Sequence, residues 1–166
     1  MSEAALPRSG GLGKAELARL LALVIPAALL GGALAFQYLG GLHPCEMCYW
    51  QRWPHGAAIL FALLAFTGAA ASPRSSNFTL LAALAIAVSG IIGVYHAGVE
   101  SGVFEGFTTC TSTAATSLQD ILNTPLVRCD QVQWSLFGIS MAGWNAIVSL
   151  GGAAAILALT LMGRRG

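Results

Sequence analysis

The sequence predicts an all-α membrane protein: a four-helix transmembrane bundle with two cysteine-bearing loops, the second of which holds a short amphipathic helix. Hydrophobic residues make up 56% of the 166 residues and charged residues only 9%, against roughly 25% charged in soluble domains. Four apolar segments approach or exceed the roughly 20 residues that a helix needs to cross a bilayer. The four cysteines all lie between these segments.

Composition also limits the class of protein. Each charge at the centre of a membrane helix costs about 2.5 kcal/mol or more, which accounts for the scarcity of charge. The net charge of +1 is too small to indicate a nucleic-acid partner. One bundle fits this length, so residues 1–166 are predicted to form a single transmembrane domain.

The predicted helices cover about 17–39, 50–71, 78–99 and 139–162. The second is the shortest, because His55 to Ala71 gives only 17 residues. Extending it upstream brings Arg52 to the membrane boundary. Pro54 disfavours helical geometry at Trp53, so the helix either begins at Pro54 or begins earlier and bends.

The placement of lysine and arginine predicts the orientation. One side carries Arg8, Lys14, Arg19, Arg74, Arg164 and Arg165, and the other carries Arg52 and Arg128. Both termini are therefore expected in the cytoplasm, with loops at about 40–54 and 100–138 facing outward. All four cysteines then lie where disulfides persist. The first segment could instead be a cleaved signal peptide, with "ALA" at 33–35 as the site, although its apolar stretch is longer than usual.

The long outer loop contains the segment "TSLQDILNTP", which places Leu118, Ile121 and Leu122 on one helical face. Thr116 and Ser117 are possible N-caps, and Pro125 ends the helix. The helix could lie on the membrane surface or pack on its own bundle.

Cys45 and Cys48 form a Cys-x-x-Cys pair in "PCEMCYWQR". At a helix N-terminus, exposed amides and the helix dipole lower a thiol pKa, which would favour a Cys48 thiolate. The alternatives are a structural disulfide and a four-cysteine zinc site. Zinc sites usually supply a second close pair, whereas Cys110 and Cys129 have 18 residues between them. The spacing of the cysteines therefore favours redox chemistry over a structural disulfide, and no metal is expected.

Cys110 and Cys129 by themselves are typical of a loop staple, worth roughly 3 kcal/mol in the entropic account. A role in exchange would require this disulfide to be exposed and reachable by a thiolate. Arg52 could extend to the lipid head groups, or stabilise a thiolate or an anionic reduced cofactor. His96 presents the same choice between a bystander and a functional residue.

Every tryptophan and tyrosine lies toward the outer face: Tyr38, Tyr49, Trp50, Trp53, Tyr95, Trp134 and Trp144. Aromatic belts normally form at both interfaces. A one-sided belt beside the cysteines would suit a flat, apolar electron acceptor dissolved in the membrane.

The segments "PCEMCYWQR", "YHAG" at 95–98 and "CDQVQWSLFGISMAGWN" resemble the DsbB family. Its members are bacterial inner-membrane thiol–quinone oxidoreductases that reoxidise a periplasmic thioredoxin-fold disulfide donor. The resemblance covers nearly the whole chain. It implies a bacterial inner-membrane location, periplasmic cysteines, a DsbA-like partner, and ubiquinone or menaquinone as the cofactor.

The resemblance also implies a role for each site residue. Cys110 would be attacked by the reduced partner, and Cys129 would then exchange with Cys45. Cys48 would be freed as a thiolate beside the quinone, which Arg52 would stabilise and His96 would help to place.

Two features depart from the family pattern. The stretch between Cys110 and Cys129 looks shorter than in the best-known members. Gln51 stands where some members carry an acid, so no role is assigned to it.

Two alternatives remain. The first is a vitamin K epoxide reductase-like quinone reductase, in which the redox pair lies on a later helix than here. The second is a non-enzymatic membrane scaffold whose two disulfides only brace its loops.

Overall fold

The structure is a computed structural model that describes residues 12–106 and 127–164. Within these ranges the chain forms four helices: α1 (Lys14–Tyr38), α2 (Glu46–Ala65), α3 (Pro73–Glu100) and α4 (Met141–Arg164). A two-stranded antiparallel hairpin, β1 (Ser135–Leu136) and β2 (Ile139–Ser140), precedes α4. The predicted amphipathic helix near Leu118 and the cysteine Cys110 lie outside the described residues.

Three of the helices, α1, α3 and α4, are long and apolar enough to cross a membrane. Large apolar side chains on their outer surfaces are open, with Val24 56%, Leu84 61% and Ile91 61% exposed. A soluble protein would bury such a surface, whereas lipid covers it without cost. The chain is therefore a helical membrane protein. The fourth predicted span corresponds to α2, which is shorter and carries more polar residues, and it stays a prediction.

Helix α2 begins earlier than predicted, at Glu46, because Cys45 acts as its N-cap: the Cys45 Sγ accepts a hydrogen bond from the Cys48 N–H at 3.3 Å. Pro54 lies inside the helix and does not begin it. The helix ends at Ala65 rather than near Ala71. Helix α3 in turn begins at Pro73, with Ser72 as its N-cap, so most of the predicted loop at 72–77 is helical.

The hairpin before α4 was not predicted from the sequence, which placed helix from about residue 139. Phe137 and Gly138 both have positive φ, at 53° and 77°. Positive φ at both central residues is the requirement of the two-residue turn that best joins twisted antiparallel strands. The Trp144 Nε1 donates to the Leu136 carbonyl at 3.1 Å and holds the hairpin against α4.

Small residues allow the helices to approach closely. Ala22, Ala58, Ala62 and Ala82 are completely buried in the central cluster. A Cβ placed on Gly93 of α3 would come within 3.0 Å of the Ala142 carbonyl oxygen of α4. Backbones this close are typical of small-residue contacts between membrane helices.

The two ends of the bundle differ in chemistry. At one end, Arg19 donates to the Gly68 carbonyl at 3.1 Å, and Arg164 donates to the Asn77 Oδ1 at 2.6 Å. At the other end lie the start of α2 with its two cysteines, the end of α3 and the start of α4. The described basic side chains at the first end are thus a full helix length away from the sulfur atoms.

Candidate functional site

The cysteine pair lies at the N-terminus of α2. The Cys45 and Cys48 sulfur atoms are 2.9 Å apart and both residues are free thiols. Cys45 is buried and Cys48 is half-buried. The Cys48 backbone N–H donates to the Cys45 sulfur because Cys45 occupies the cap position. The local start of α2 therefore positions both sulfur atoms.

The two thiols differ in acidity. The hydrogen bond from Cys45 lowers the pKa of the Cys48 thiol, and the Arg52 charge adds to the shift. The same hydrogen bond with Cys48, together with burial, raises the pKa of the Cys45 thiol. Cys48 is therefore the more acidic thiol of the pair, and Cys45 the less acidic one. The sequence pointed to Cys48 through the helix N-terminus, whereas the main physical cause is its partner thiol.

His96 of α3 lies against this pair. Its Nε2 is 3.6 Å from the Cys45 sulfur and 3.8 Å from the Glu100 Oε1. The ring also hydrogen-bonds to the backbone of Cys129. The side chains of His96 and Glu100 are only 4% and 8% exposed, so both polar groups face the protein interior. Glu100 was not singled out from the sequence.

Cys129 packs into the same buried cluster as Cys45, Met47, Val99 and Val127. It is disulfide-bonded. The segment after residue 126 thus brings a third cysteine close to the α2 pair, as the exchange scheme requires. A zinc site of all four cysteines does not fit this arrangement, because zinc binds thiolates and not disulfide sulfurs.

Cys45, Cys48 and His96 offer three side-chain atoms within 4.8 Å of one another. Three such groups do not complete the four-ligand set of a structural zinc site. We call the part of the site formed by Cys45, Cys48 and His96 its sulfur end.

Arg52 is held by α1. One of its guanidinium nitrogens donates to the Gln37 Oε1 and another donates to the Ala33 carbonyl at 3.3 Å. The guanidinium also lies 5.1 Å from the centre of the Tyr49 ring. These contacts keep the Arg52 charge beside the bundle near Cys48, one turn away along α2.

A cavity of about 260 Å³ joins these residues. Its polar wall consists of Cys45, Cys48, Gln51, Arg52, His55, His96, Glu100 and Asn145, among others. Its apolar wall includes Leu29, Leu30, Phe36, Trp134, Leu136 and Met141. The volume is near the lower end of small-molecule sites. A flat, largely apolar ring with a few polar atoms fits this chemistry, so the residues present suit a quinone.

A polar network that sequence reasoning missed lies beneath the sulfur end. It consists of Gln51 and His55 of α2, Ser89 of α3, and Asn145 and Ser149 of α4. Asn145 donates to the Gln51 Oε1 at 2.7 Å, and its own Oδ1 lies 2.9 Å from the His55 Nε2. The pattern could have been found, because Gln51 and His55, like Asn145 and Ser149, are polar pairs four residues apart in apolar helices.

The acidity of the pair gives a pH prediction. In the reduced protein, iodoacetamide should modify Cys48 with a pH midpoint below that of an ordinary thiol, because a lowered pKa keeps the thiolate present as the pH falls. Cys45 should stay largely unmodified over the same range. Peptide mapping by mass spectrometry at each pH measures both rates. In Cys45→Ala, the Cys48 midpoint should rise. A Cys48 midpoint at or above the ordinary thiol value would contradict the assignment.

The family model described as "Disulfide bond formation protein DsbB" matches residues 15–159. Disulfide bond formation protein B 1 of Pseudomonas fluorescens strain Pf-5 is 33% identical over 152 residues, covering 82% of this chain and 84% of the relative. The corresponding protein of Methylococcus capsulatus is 34% identical over 153 residues, covering 80% and 85%.

Disulfide bond formation protein B of a Polaromonas species is 30% identical over 160 residues, covering 88% of this chain and 90% of the relative. No solved structure matches the chain. The matched region contains α2, α3 and most of α1 and α4, together with the cysteine pair, Arg52 and His96. The chain therefore belongs to the DsbB family of disulfide bond formation proteins.

Proposed function

We propose that the protein is a dithiol:quinone oxidoreductase that reoxidises a periplasmic DsbA-like partner and passes the electrons to a membrane quinone. One observation carries the proposal: a reactive cysteine pair, Arg52 and His96 all border a single, mostly apolar cavity. Family membership supports disulfide chemistry in general. The cavity adds the requirement for a flat apolar acceptor.

The thiol steps balance as exchanges. A thiolate of the reduced partner attacks Cys110 of the Cys110–Cys129 disulfide, forming a mixed disulfide and releasing the Cys129 thiolate. Cys129 attacks Cys45 of the oxidised pair, which links Cys45 to Cys129 and releases the Cys48 thiolate. The second partner thiol displaces Cys110 and leaves as a disulfide. Cys110 then attacks Cys129, which restores their bond and releases Cys45.

A bound quinone supplies a two-electron, two-proton acceptor to this chain. Cys48, as the thiolate of the pair, is the group that gives up electrons, and the Arg52 charge stabilises it. Cys45 loses its proton as the Cys45–Cys48 bond re-forms. Free Cys45 and Cys48 beside a disulfide-bonded Cys129 are compatible with the state just before this step.

Redox energetics favour a quinone as the final acceptor. A DsbA-like protein is already a strong oxidant at about −120 mV, and glutathione pools at about −180 mV or below cannot reoxidise it. A protein that does so must join thiol chemistry at the membrane surface to an acceptor inside the membrane. The sulfur end of this cavity fits that requirement.

For orientation, we propose the bacterial inner membrane with both termini cytoplasmic and the cysteines periplasmic. The excess of lysine and arginine at the end opposite the sulfurs supports it. A reporter enzyme that works only in the cytoplasm should be active when it is fused after Gly166. A reporter that works only in the periplasm should be inactive there, and activity of that fusion would reverse the orientation.

Turnover is the main test. The purified protein in detergent, given ubiquinone or menaquinone and a reduced thioredoxin-fold partner, should consume the quinone catalytically, measured by its absorbance. Cys48→Ser should abolish consumption while leaving the protein helical and monodisperse. A correctly folded wild type without turnover on either quinone would leave the scaffold alternative. Turnover with a small dithiol but with no protein partner would favour the vitamin K epoxide reductase-like alternative.

Arg52 can be tested by its effect on quinone use. Arg52→Ala should raise the apparent KM for quinone about tenfold or more, because the charge beside the thiolate and the bound ring is lost. Arg74→Ala, at the opposite end of the bundle, is the matched control and should leave this KM unchanged. Thermal unfolding should show a smaller effect of Arg52→Ala than the activity does. An unchanged KM would leave lipid anchoring as the role of Arg52.

A further inference from the structure

In the polar network beneath the sulfur atoms, the donor and the acceptor of each hydrogen bond between the amides are fixed. Two backbone carbonyls fix them, because a carbonyl oxygen can only accept a hydrogen bond. The Gln51 Nε2 is 3.1 Å from the Met47 carbonyl, so the amide nitrogen of Gln51 must lie on this side. The Asn145 Nδ2 is 3.2 Å from the Ser89 carbonyl, which fixes the Asn145 amide in the same way.

The two amides confirm each other. With these orientations, the Asn145 Nδ2 faces the Gln51 Oε1 at 2.7 Å, a donor against an acceptor. Turning either amide alone would set two oxygens or two N–H groups against each other and would place an amide oxygen against a backbone carbonyl oxygen. Unpaired polar groups in such an interior cost roughly 1–3 kcal/mol each, so the pair is locked.

The Gln51 nitrogen lies 2.8 Å from the Nδ1 of His96. Since an amide nitrogen only donates, the His96 Nδ1 must carry the lone pair, and the neutral ring must hold its proton on Nε2. If the ring were doubly protonated, the N–H on the His96 Nδ1 would face the N–H of Gln51 across only 2.8 Å, which is repulsive. We propose that Gln51 is a positioning residue that locks His96 as the neutral tautomer with its Nε2–H directed at the sulfur end of the cavity.

The groups facing Nε2 agree with a donor there. Among the described residues they include the Cys45 sulfur at 3.6 Å and the Glu100 carboxyl oxygen at 3.8 Å, and both can accept a hydrogen bond. His55 follows the same rule in the same network. Its Nε2 faces the Asn145 Oδ1, an acceptor, so its proton is on Nε2. Its Nδ1 has no partner among the residues that the structure describes, as suits a lone pair rather than an N–H.

This lock determines what His96 can do. A metal ion would need the lone pair on Nε2, so the tautomer disfavours metal binding by the trio of Cys45, Cys48 and His96. The ring also cannot act as a proton relay between its two nitrogens. The Gln51 N–H donates a hydrogen bond to Nδ1 but is not acidic enough to transfer its proton. In the proposed function, on which this consequence rests, His96 donates a hydrogen bond to the bound ring or to a Cys45 thiolate.

The test reads the tautomer directly. The reduced, quinone-free protein, labelled with ¹⁵N-histidine in detergent, is examined by NMR, and the His96 signals are assigned by their loss in His96→Gln. Wild type should show a protonated Nε2 and a bare Nδ1. Gln51→Glu, nearly the same shape, replaces the donor by an acceptor, so the Nδ1 of His96 should become protonated. A wild type protonated on Nδ1, or a Gln51→Glu with unchanged signals, would overturn the lock.

Two further variants sharpen the result. Asn77→Asp also replaces an amide by an acid, but at the opposite end of the bundle, and should leave the tautomer as in wild type; a switch there would show a general charge effect and overturn the proposal. Asn145→Asp places an acceptor against the Gln51 Oε1, which should turn the Gln51 amide and protonate the His96 Nδ1 without touching the ring. If Gln51→Glu fails to fold, Asn145→Asp decides the outcome by the same signals.

Activity is measured separately. With quinone and the reduced partner, Gln51→Glu should raise the apparent KM for quinone about tenfold, the size of one hydrogen bond, relative to Asn77→Asp. If no variant, wild type included, turns over, the proposed function fails while the NMR result still decides the tautomer. A switched tautomer with an unchanged KM would overturn the functional consequence of the lock.

Discussion

The structure depends on satisfying polar groups inside an apolar bundle, and Asn145 is the residue that does most of this. Its amide nitrogen reaches Ser89 of α3 and Gln51 of α2, and its oxygen accepts hydrogen bonds from His55 of α2 and Ser149 of its own helix. Lipid offers no partners to such groups, so each must be paired within the protein. One side chain on α4 therefore sets the relative position of three helices at the depth where the cavity lies.

The cysteine pair is connected to this hydrogen-bond network through helix α2. Cys45 caps α2, which places Cys48 in its first turn and Gln51 and His55 one and two turns further along the same helix. The face of α2 that carries the thiols thus continues directly into the polar network. The cysteines and the network residues Gln51 and His55 all lie on α2 or at its N-cap. A rotation of this helix would therefore move the sulfur atoms and the hydrogen bonds of the network together.

Much of the site could be predicted from the sequence, because its chemistry is concentrated in short motifs. The Cys-x-x-Cys pair, Arg52 and His96 were all identified, and the structure places them on one cavity. The start of α2 was missed because a cysteine is an unusual helix cap, and the spacing of apolar residues does not reveal it. The hairpin at Phe137–Gly138 was missed because its turn depends on backbone angles that the apolar pattern does not show.

The polar pairs of the network are visible in the sequence, but the hydrogen bonds between the helices could not be predicted, because they depend on which residues meet. Gln51, Ser89 and Asn145 are separated by tens of residues, and each alone is an ordinary polar residue near a helix end or contact. Only their juxtaposition shows that the amides have one permitted direction. Glu100 is similar: its importance comes from burial beside His96, which its position at the end of an apolar helix did not indicate.

Helix α2 has a consequence for how the protein assembles. Among the described helices it is the one whose composition is not apolar enough for a candidate membrane span, although it has 20 residues, and it carries polar side chains of the site. A segment of this kind does not enter a bilayer favourably by itself, since unpaired polar groups are costly there. The predicted insertion of α2 therefore depends on pairing its polar side chains with those of α3 and α4. The helix that carries the cysteine pair is thus the one whose predicted place in the membrane depends on its neighbours, so that packing of the bundle and formation of the cavity are coupled.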